Sequence, residues 1–248
     1  MRILFIRHGD PDYSIDSLTE QGWKEARLLS DRMAKEEIRD FYCSPLGRAK
    51  DTASLTLEKM GRTAEICPWL AEFDAAIKVP YMDEPKHIPW DIMPRLWKDE
   101  RAFDSEKTWL DSSLMDGVPG EGMTVAERYK WVSDGIDGIL ARYGYIRKGD
   151  HYTCTGDGNR DTIAIFCHFG VTGAMLGHIL GISPVLIWHG MILAPTSVTT
   201  VYTEEREKGE ISFRAAALGD TSHLYIAGEQ PAFSGRFCER YCDEFERH

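Results

Sequence analysis

The chain has 248 residues, 43% of them hydrophobic and 28% charged, with 29 Lys and Arg against 40 Asp and Glu for a formal net charge of −11. At roughly 150 residues per domain that is one large domain or two small ones, with apolar content enough for a core that needs no disulfide or metal. The acidity argues against nucleic acid or an anionic membrane surface as a partner, since both call for a basic face. The longest strongly apolar stretch, Val185 to Leu193, is broken by His189 and is far too short for a bilayer. The opening MRILFIRHGD holds five apolar residues before Arg7 and has no leader pattern, so a cytoplasmic location is expected.

Strand-like runs alternate with helical patterns, which predicts an α/β layer fold with a mainly parallel sheet. Arg2 to Ile6 is a short apolar strand that stops at Arg7-His8-Gly9. Ser17 and Glu20 have capping-box spacing for a helix from about Leu18 to Lys35, with Trp23, Ala26, Leu29 or Ser30, and Met33 on the helical period. Ile38 to Cys43 is a second strand ending at Ser44-Pro45, residues 46–60 a helix closed by Gly61, and Ala64 to Leu70 a third strand interrupted by Pro68. From Phe73 to about Gly122 the period is lost. This segment carries prolines 80, 85, 89, 94 and 119 with Trp90, Trp97 and Trp109, and is expected to be an excursion from the sheet holding at most short helices. Thr124 and Glu127 then cap a helix to about Tyr143. His151 to Cys154 and Asp161 to Cys167 flank Gly156-Asp157-Gly158-Asn159 as a hairpin. Thr172 to Leu180 is helical, and Ser197 to Thr203 with Glu210 to Ala217 forms another hairpin. The expectation is one domain over 1–248, with an insertion or lid at about 73–122.

Six cysteines without a leader read as reduced thiols, with Cys43 and Cys167 as small core residues in strands. Cys238 and Cys242 have metal-like spacing with His248 beyond, but no second pair completes a zinc site, and a surface pair of thiols is the better reading.

Candidate chemistry sits at strand ends, where ligands collect in open α/β sheets. Arg7-His8-Gly9 alone would occur by chance in on the order of 3% of chains this long. Four further pieces follow it in order: Leu18-Thr19-Glu20-Gln21-Gly22; Ser44-Pro45-Leu46-Gly47-Arg48-Ala49 with Asp51-Thr52-Ala53; Leu70-Ala71-Glu72; and His168-Phe169-Gly170. This ordered set, spread over about residues 1–72 and 120–225, resembles the histidine phosphatase superfamily, the phosphoglycerate-mutase-like proteins of branch 1. The resemblance implies a three-layer α/β sandwich and a phosphoryl-transfer pocket that uses no metal or cofactor.

The chemistry of a phosphate monoester leads to the same roles. Its dianion must be neutralised, an in-line nucleophile supplied and the leaving oxygen protonated. Arg7 and Arg48 offer planar forks for phosphate oxygens, Arg48 near a helix N-terminus. His8 can attack phosphorus through one ring nitrogen if a carbonyl holds the other as N–H. His168, protonated, would add a donor, and Glu72 is the choice for general acid, with Glu121, Asp74 and Asp10 as rivals. His223 is expected to support the structure rather than touch phosphate. The blander readings are surface ion pairs for the arginines and satisfied core positions for the histidines, and the motif order weighs against them.

The chain departs from the mutases of the family. After Arg-His-Gly it has Asp10-Pro11-Asp12-Tyr13-Ser14 in place of a Trp-Asn segment, and Glu72 is followed by Phe73-Asp74 rather than an Arg-rich continuation. Phe169 stands where glycine is common. The expected function is a metal-independent phosphomonoesterase working through phosphohistidine on a small phosphorylated metabolite. Mutase-type transfer is one alternative, and a non-catalytic protein that recognises a phosphorylated ligand is another. The particular substrate and the oligomeric state leave no mark in the sequence.

Overall fold

The computed structural model describes residues 1–243. Strand β1 (Arg2–Arg7) is apolar on both faces, and its alternation splits the interior in two. Ile3 and Phe5 join one apolar cluster, Leu4 and Ile6 the other. A strand buried on both faces needs layers on either side, so this hexapeptide already calls for a sandwich. Helices α1 (Glu20–Met33) and α2 (Gly47–Met60) cover the Leu4 face through Leu29, Met33, Ala49 and Ala53. The opposite face is covered by α4 (Val125–Arg142) and α5 (Phe169–Leu180).

The sheet contains β5 (Glu65–Ile66), β4 (Asp40–Cys43), β8 (Thr162–Cys167), β1, β9 (Val198–Glu207), β10 (Glu210–Asp220), β7 (His151–Cys154) and β6 (Tyr145–Lys148), in that spatial order. The α/β sandwich is the expected one, but the expectation of a mainly parallel sheet is corrected. Strands β5, β4, β8 and β1 run parallel, and from β1 through β9, β10, β7 and β6 every neighbour is antiparallel. The cause is connection length. Two-residue turns join β9 to β10 and β6 to β7, and only antiparallel strands can be joined so tightly.

Three local expectations also change. His151–Cys154 does not pair with the next strand, because β8 is buried at all six positions and is taken as a central strand by β1 and β4. The cap of α1 is Thr19, whose Oγ1 accepts from Gly22 N–H at 3.0 Å. Ser17 instead lies with Leu18 in β3 (Ser17–Leu18), paired to β2 (Pro11–Asp12), and its hydroxyl donates to Asp51 at 2.5 Å. The Thr124–Glu127 capping box forms as expected. The third strand shrinks to Glu65–Ile66, after which Pro68–Leu70 coils into a 3₁₀ turn.

Residues 73–122 hold α3 (Pro94–Trp97) and three 3₁₀ turns. Phe73, Ile77, Ile92, Phe103, Trp109 and Met115 join the same apolar cluster as Ile3 and Phe5, so this excursion is packed onto the sheet's own core. The remaining helices are α6 (Pro184–Gly190) and α7 (Ser222–Ile226). No described helix is long and apolar enough to cross a membrane.

Candidate active site

Parallel register brings the strand ends together. Arg7 lies opposite Cys167 and Cys43 opposite Phe166, so His8, Ser44 and His168, one residue beyond each strand, meet at one edge. His8 N–H donates to Cys167 O at 3.0 Å, and Ser44 N–H to Phe166 O at 2.9 Å. The His8 and His168 rings stand 5.0 Å apart, and both are almost wholly buried.

The turn after His8 is tied to both covering helices. Gly9 N–H donates to Thr52 Oγ1 on α2 at 2.9 Å. Gly9 also faces Gly22 of α1 so closely that a Cβ on Gly9 would lie 2.8 Å from the Gly22 carbonyl oxygen, while one on Gly22 would lie 2.2 Å from Asp10 O. Those two motif glycines are there for backbone-to-backbone approach.

His8 Nδ1 lies 2.7 Å from Gly9 O. A carbonyl only accepts, so Nδ1 carries the proton and Nε2 keeps its lone pair. Burial, then the charges of Arg7 and Arg48, push His8 well below the usual imidazole range, against the pull of the Gly9 carbonyl. A ring so lowered is neutral at pH 7, and its Nε2 lone pair can act as a base or nucleophile. Burial, followed by His8, Arg48, Arg7 and Arg128, does the same to His168. Among these cations an imidazolium at His168 is unfavourable until a dianion arrives, so the protonated state expected for it depends on bound phosphate. Its Nε2 meets Ser44 Oγ at 2.7 Å, and Nδ1 is buried without a hydrogen-bond partner.

Arg7 is 7% exposed and its guanidinium is held by carbonyls, Nη1 donating to Leu193 O at 2.6 Å and Nη2 to Ser234 O at 2.8 Å, while Nε has no partner. Ser234 belongs to a C-terminal strap. Its hydroxyl donates to Asp10 at 2.5 Å, Ala232 N–H donates to Glu25 at 2.8 Å, and Phe237 packs against Trp90 at 5.9 Å. Arg48, in the first turn of α2, donates through Nη1 to Asp16 at 2.6 Å. The other Asp16 oxygen accepts from Gly47 N–H at 2.6 Å. Burial would raise the Asp16 carboxyl, but these bonds from Gly47 and Arg48 outweigh it and hold it below the usual carboxylate range.

Glu72 follows the Pro68–Leu70 turn. Its Oε1 accepts from Phe73 N–H at 2.7 Å and from Val171 N–H at 3.0 Å, which ties it to the first turn of α5 after His168. Behind it Arg128 of α4 donates through Nη2 to Ala71 O at 2.7 Å and Glu72 O at 3.1 Å. Of the rivals, Asp74 and Glu121 flank exposed His87 at 3.8 and 3.7 Å, and Asp10 is tied to Thr19 and Ser234. His223 lies behind the site: its Nε2 meets Thr196 Oγ1 at 3.1 Å, and Thr196 N–H donates to the His8 carbonyl at 3.1 Å.

All five expected residues, Arg7, His8, Arg48, Glu72 and His168, thus converge. Asp16, Ser44, Thr52 and Arg128, which anchor them, were not singled out by the sequence, although Ser44 and Thr52 lie inside the quoted motifs. The three tryptophans of the excursion are taken up by packing. Trp109 is fully buried against Tyr129 and Trp188, Trp97 stacks on His189, and Trp90 is half-buried against Phe169. Beside Arg48 and Glu72 opens a cleft of about 560 Å³ lined by Phe73, His87 and, from α4, Trp131.

Cys43 and Cys167 are buried, and burial pushes each thiol up to about 12, as befits inert core residues. Cys238 and Cys242 are exposed, and His248 lies outside the described residues. No group of three or more His, Cys, Asp or Glu among the described residues is placed to hold a metal ion.

A family model of the histidine phosphatase superfamily (branch 1) matches residues 3–145. A Schizosaccharomyces pombe protein described as a probable phosphatase is 22% identical over 238 residues, 90% of this chain and 95% of that one. The adenosylcobalamin/alpha-ribazole phosphatase of Escherichia coli is 23% identical over 200 residues, 76% of this chain and 84% of its own length. Among solved structures, a phosphoserine phosphatase of Entamoeba histolytica superposes with a TM-score of 0.58 at 17% identity, covering 90% of this chain and 98% of that one. The alpha-ribazole phosphatase of Shigella flexneri does so with 0.58 at 19%, covering 89% and 97%.

Proposed function

The chain belongs to the histidine phosphatase superfamily, branch 1, and on that premise we propose that it hydrolyses a small phosphate monoester through a phosphohistidine on His8. The observation that carries the reading is the state of His8: neutral, with Nδ1–H spent on Gly9 O and Nε2 available, between two guanidinium groups and a second imidazole. The names of the relatives, phosphatases for alpha-ribazole and for phosphoserine, support a phosphorylated metabolite as the substrate class.

The steps balance as follows. The Nε2 lone pair attacks phosphorus in line, the bond to the leaving oxygen breaks, and that oxygen takes a proton from Glu72. Water then attacks the phosphohistidine, the P–N bond breaks, and Glu72 carboxylate receives the proton of the water. Arg7, Arg48 and the unpartnered Nδ1 of His168 stabilise the charge on the equatorial oxygens in a buried site, where such interactions are strongest. Three cationic or donor groups suffice for that charge, so the reaction is metal-independent. Its product from any monoester is inorganic phosphate.

Rapid quenching of the enzyme with a reactive monoester should trap acid-labile phosphate on His8, and turnover should persist in excess chelator. Normal turnover by His8→Ala would end this reading, as would strict dependence on a divalent ion.

A further inference from the structure

The cleft beside Arg48 and Glu72 lies where the alcohol of a bound monoester must project, because Arg48 holds the phosphate end and Glu72 protonates the bridging oxygen. Its walls are apolar: Leu46, Pro68, Phe73, Ile88, Met123 and Trp131. Met123, just before α4, and Trp131, on it, keep 46% and 37% of their surface exposed, so that together they offer apolar surface to the cleft. Besides Arg48, a second cation lines it. Arg128 is 4% exposed, its guanidinium carbon 4.8 Å from the Trp131 ring centroid, and its Nη1 has no hydrogen-bond partner although Nη2 holds the Glu72 main chain. At the mouth Asp74 and Glu121 stand on either side of His87.

We propose that this cleft is a leaving-group site for an alcohol bearing a flat, uncharged ring. The ring lies along Trp131 and Met123, where it covers apolar surface that water otherwise wets. A neutral acceptor on the ring edge takes the open Nη1–H of Arg128, a donor that is costly to leave unpaired in so buried a place. The carboxylates Asp74 and Glu121 at the mouth repel a leaving group that carries its own carboxylate. Arg128 does not offset this, since its charge already faces Glu72 and Asp74. The class of substrate is thus a ring-bearing sugar phosphate, such as a nucleoside-like 5′-phosphate, rather than a phosphorylated hydroxy acid or amino acid.

The inference rests on the monoesterase reading, and two measurements keep them apart. Hydrolysis by the wild-type chain tests the chemistry. Affinity in His8→Ala, which binds without turnover, tests the cleft. Calorimetry on full-length His8→Ala should give adenosine 5′-monophosphate a Kd on the order of tenfold below that of ribose 5-phosphate, with 3-phosphoglycerate weakest. Adding Trp131→Ala should erase the preference for the ring while leaving ribose 5-phosphate unchanged, and Trp131→Phe should retain most of it. Equal binding of the first two ligands, tighter binding of 3-phosphoglycerate, or an equal loss for all three in Trp131→Ala would each overturn the proposal, whether or not the wild type hydrolyses any of them.

Discussion

Arg48 is aimed by Asp16, which also closes the start of α2 through Gly47. Asp16 has φ of 48°, a left-handed conformation that Asn accepts with little strain. Asp16→Asn therefore keeps the turn and the bond from Gly47 N–H but removes the charge-assisted bond to Arg48. A bond of that kind contributes on the order of 1.5–3 kcal/mol where it is well made. Because the Asp16 side chain is 44% exposed, most of the effect should appear in phosphate binding rather than folding. We expect KM for monoesters to rise on the order of tenfold in steady-state assays, with kcat within a few-fold and Tm nearly unchanged. A drop in Tm with KM intact would mean that Asp16 serves the fold alone.

Helix α5 carries His168 at its N-terminus and must approach its neighbours closely. A Cβ on Gly173 would sit 2.3 Å from the Trp188 ring, and that indole donates to Gly170 O at 2.8 Å. Alanine is favoured over glycine in a helix by about 1 kcal/mol, yet here the rigid ring cannot move without losing its bond and its packing on Phe73 and Trp109. Gly173→Ala should destabilise by roughly 1–3 kcal/mol, a Tm loss of roughly 2–10 °C. Gly138 on α4 faces open space, so Gly138→Ala should stabilise by up to about 1 kcal/mol. Thermal melts of the pair check both signs.

Across the molecule, buried histidines link stability to pH. His8 and His168 are held well below the usual imidazole range, chiefly by burial; His189 is lowered by burial too, and burial brings His223 down to about 4. For each, the unfolded chain binds a proton near pH 6.5 that the folded chain refuses. Stability is therefore complete above pH 6.5 and falls as pH drops toward the folded values. From pH 7 to 5 His223 alone costs about 2 kcal/mol. Burial raises the carboxyl of Glu25, which works the other way, but its window lies lower, near the carboxylate range. Urea midpoints should decline through this interval, and His223→Gln should flatten part of the decline. A flat profile would mean that these rings take up protons while folded.

Much of the site was legible because its signals are local. Arg7-His8-Gly9, Ser44 to Arg48 and His168 each stand where an apolar run stops, and strand ends on one sheet edge must converge whatever the outer layers do. The Thr124–Glu127 cap and the β9–β10 hairpin were legible for the same reason, being decided within a few residues. What the tertiary structure alone decided involves partners far apart along the chain. Arg7 meets Ser234 across 227 positions, Ser44 meets His168 across 124, and Arg128 supports the Glu72 loop across 56. The same holds for the tryptophan of the cleft: three tryptophans of the excursion were taken up by packing, and Trp131, with no motif to mark it, lines the cleft. Hydrophobic burial is non-directional, so a tryptophan's presence in a sequence does not say which surface it will cover. The strand-end motifs were written in the sequence; the groups that aim their side chains and the wall of the neighbouring cleft depend on how the layers pack.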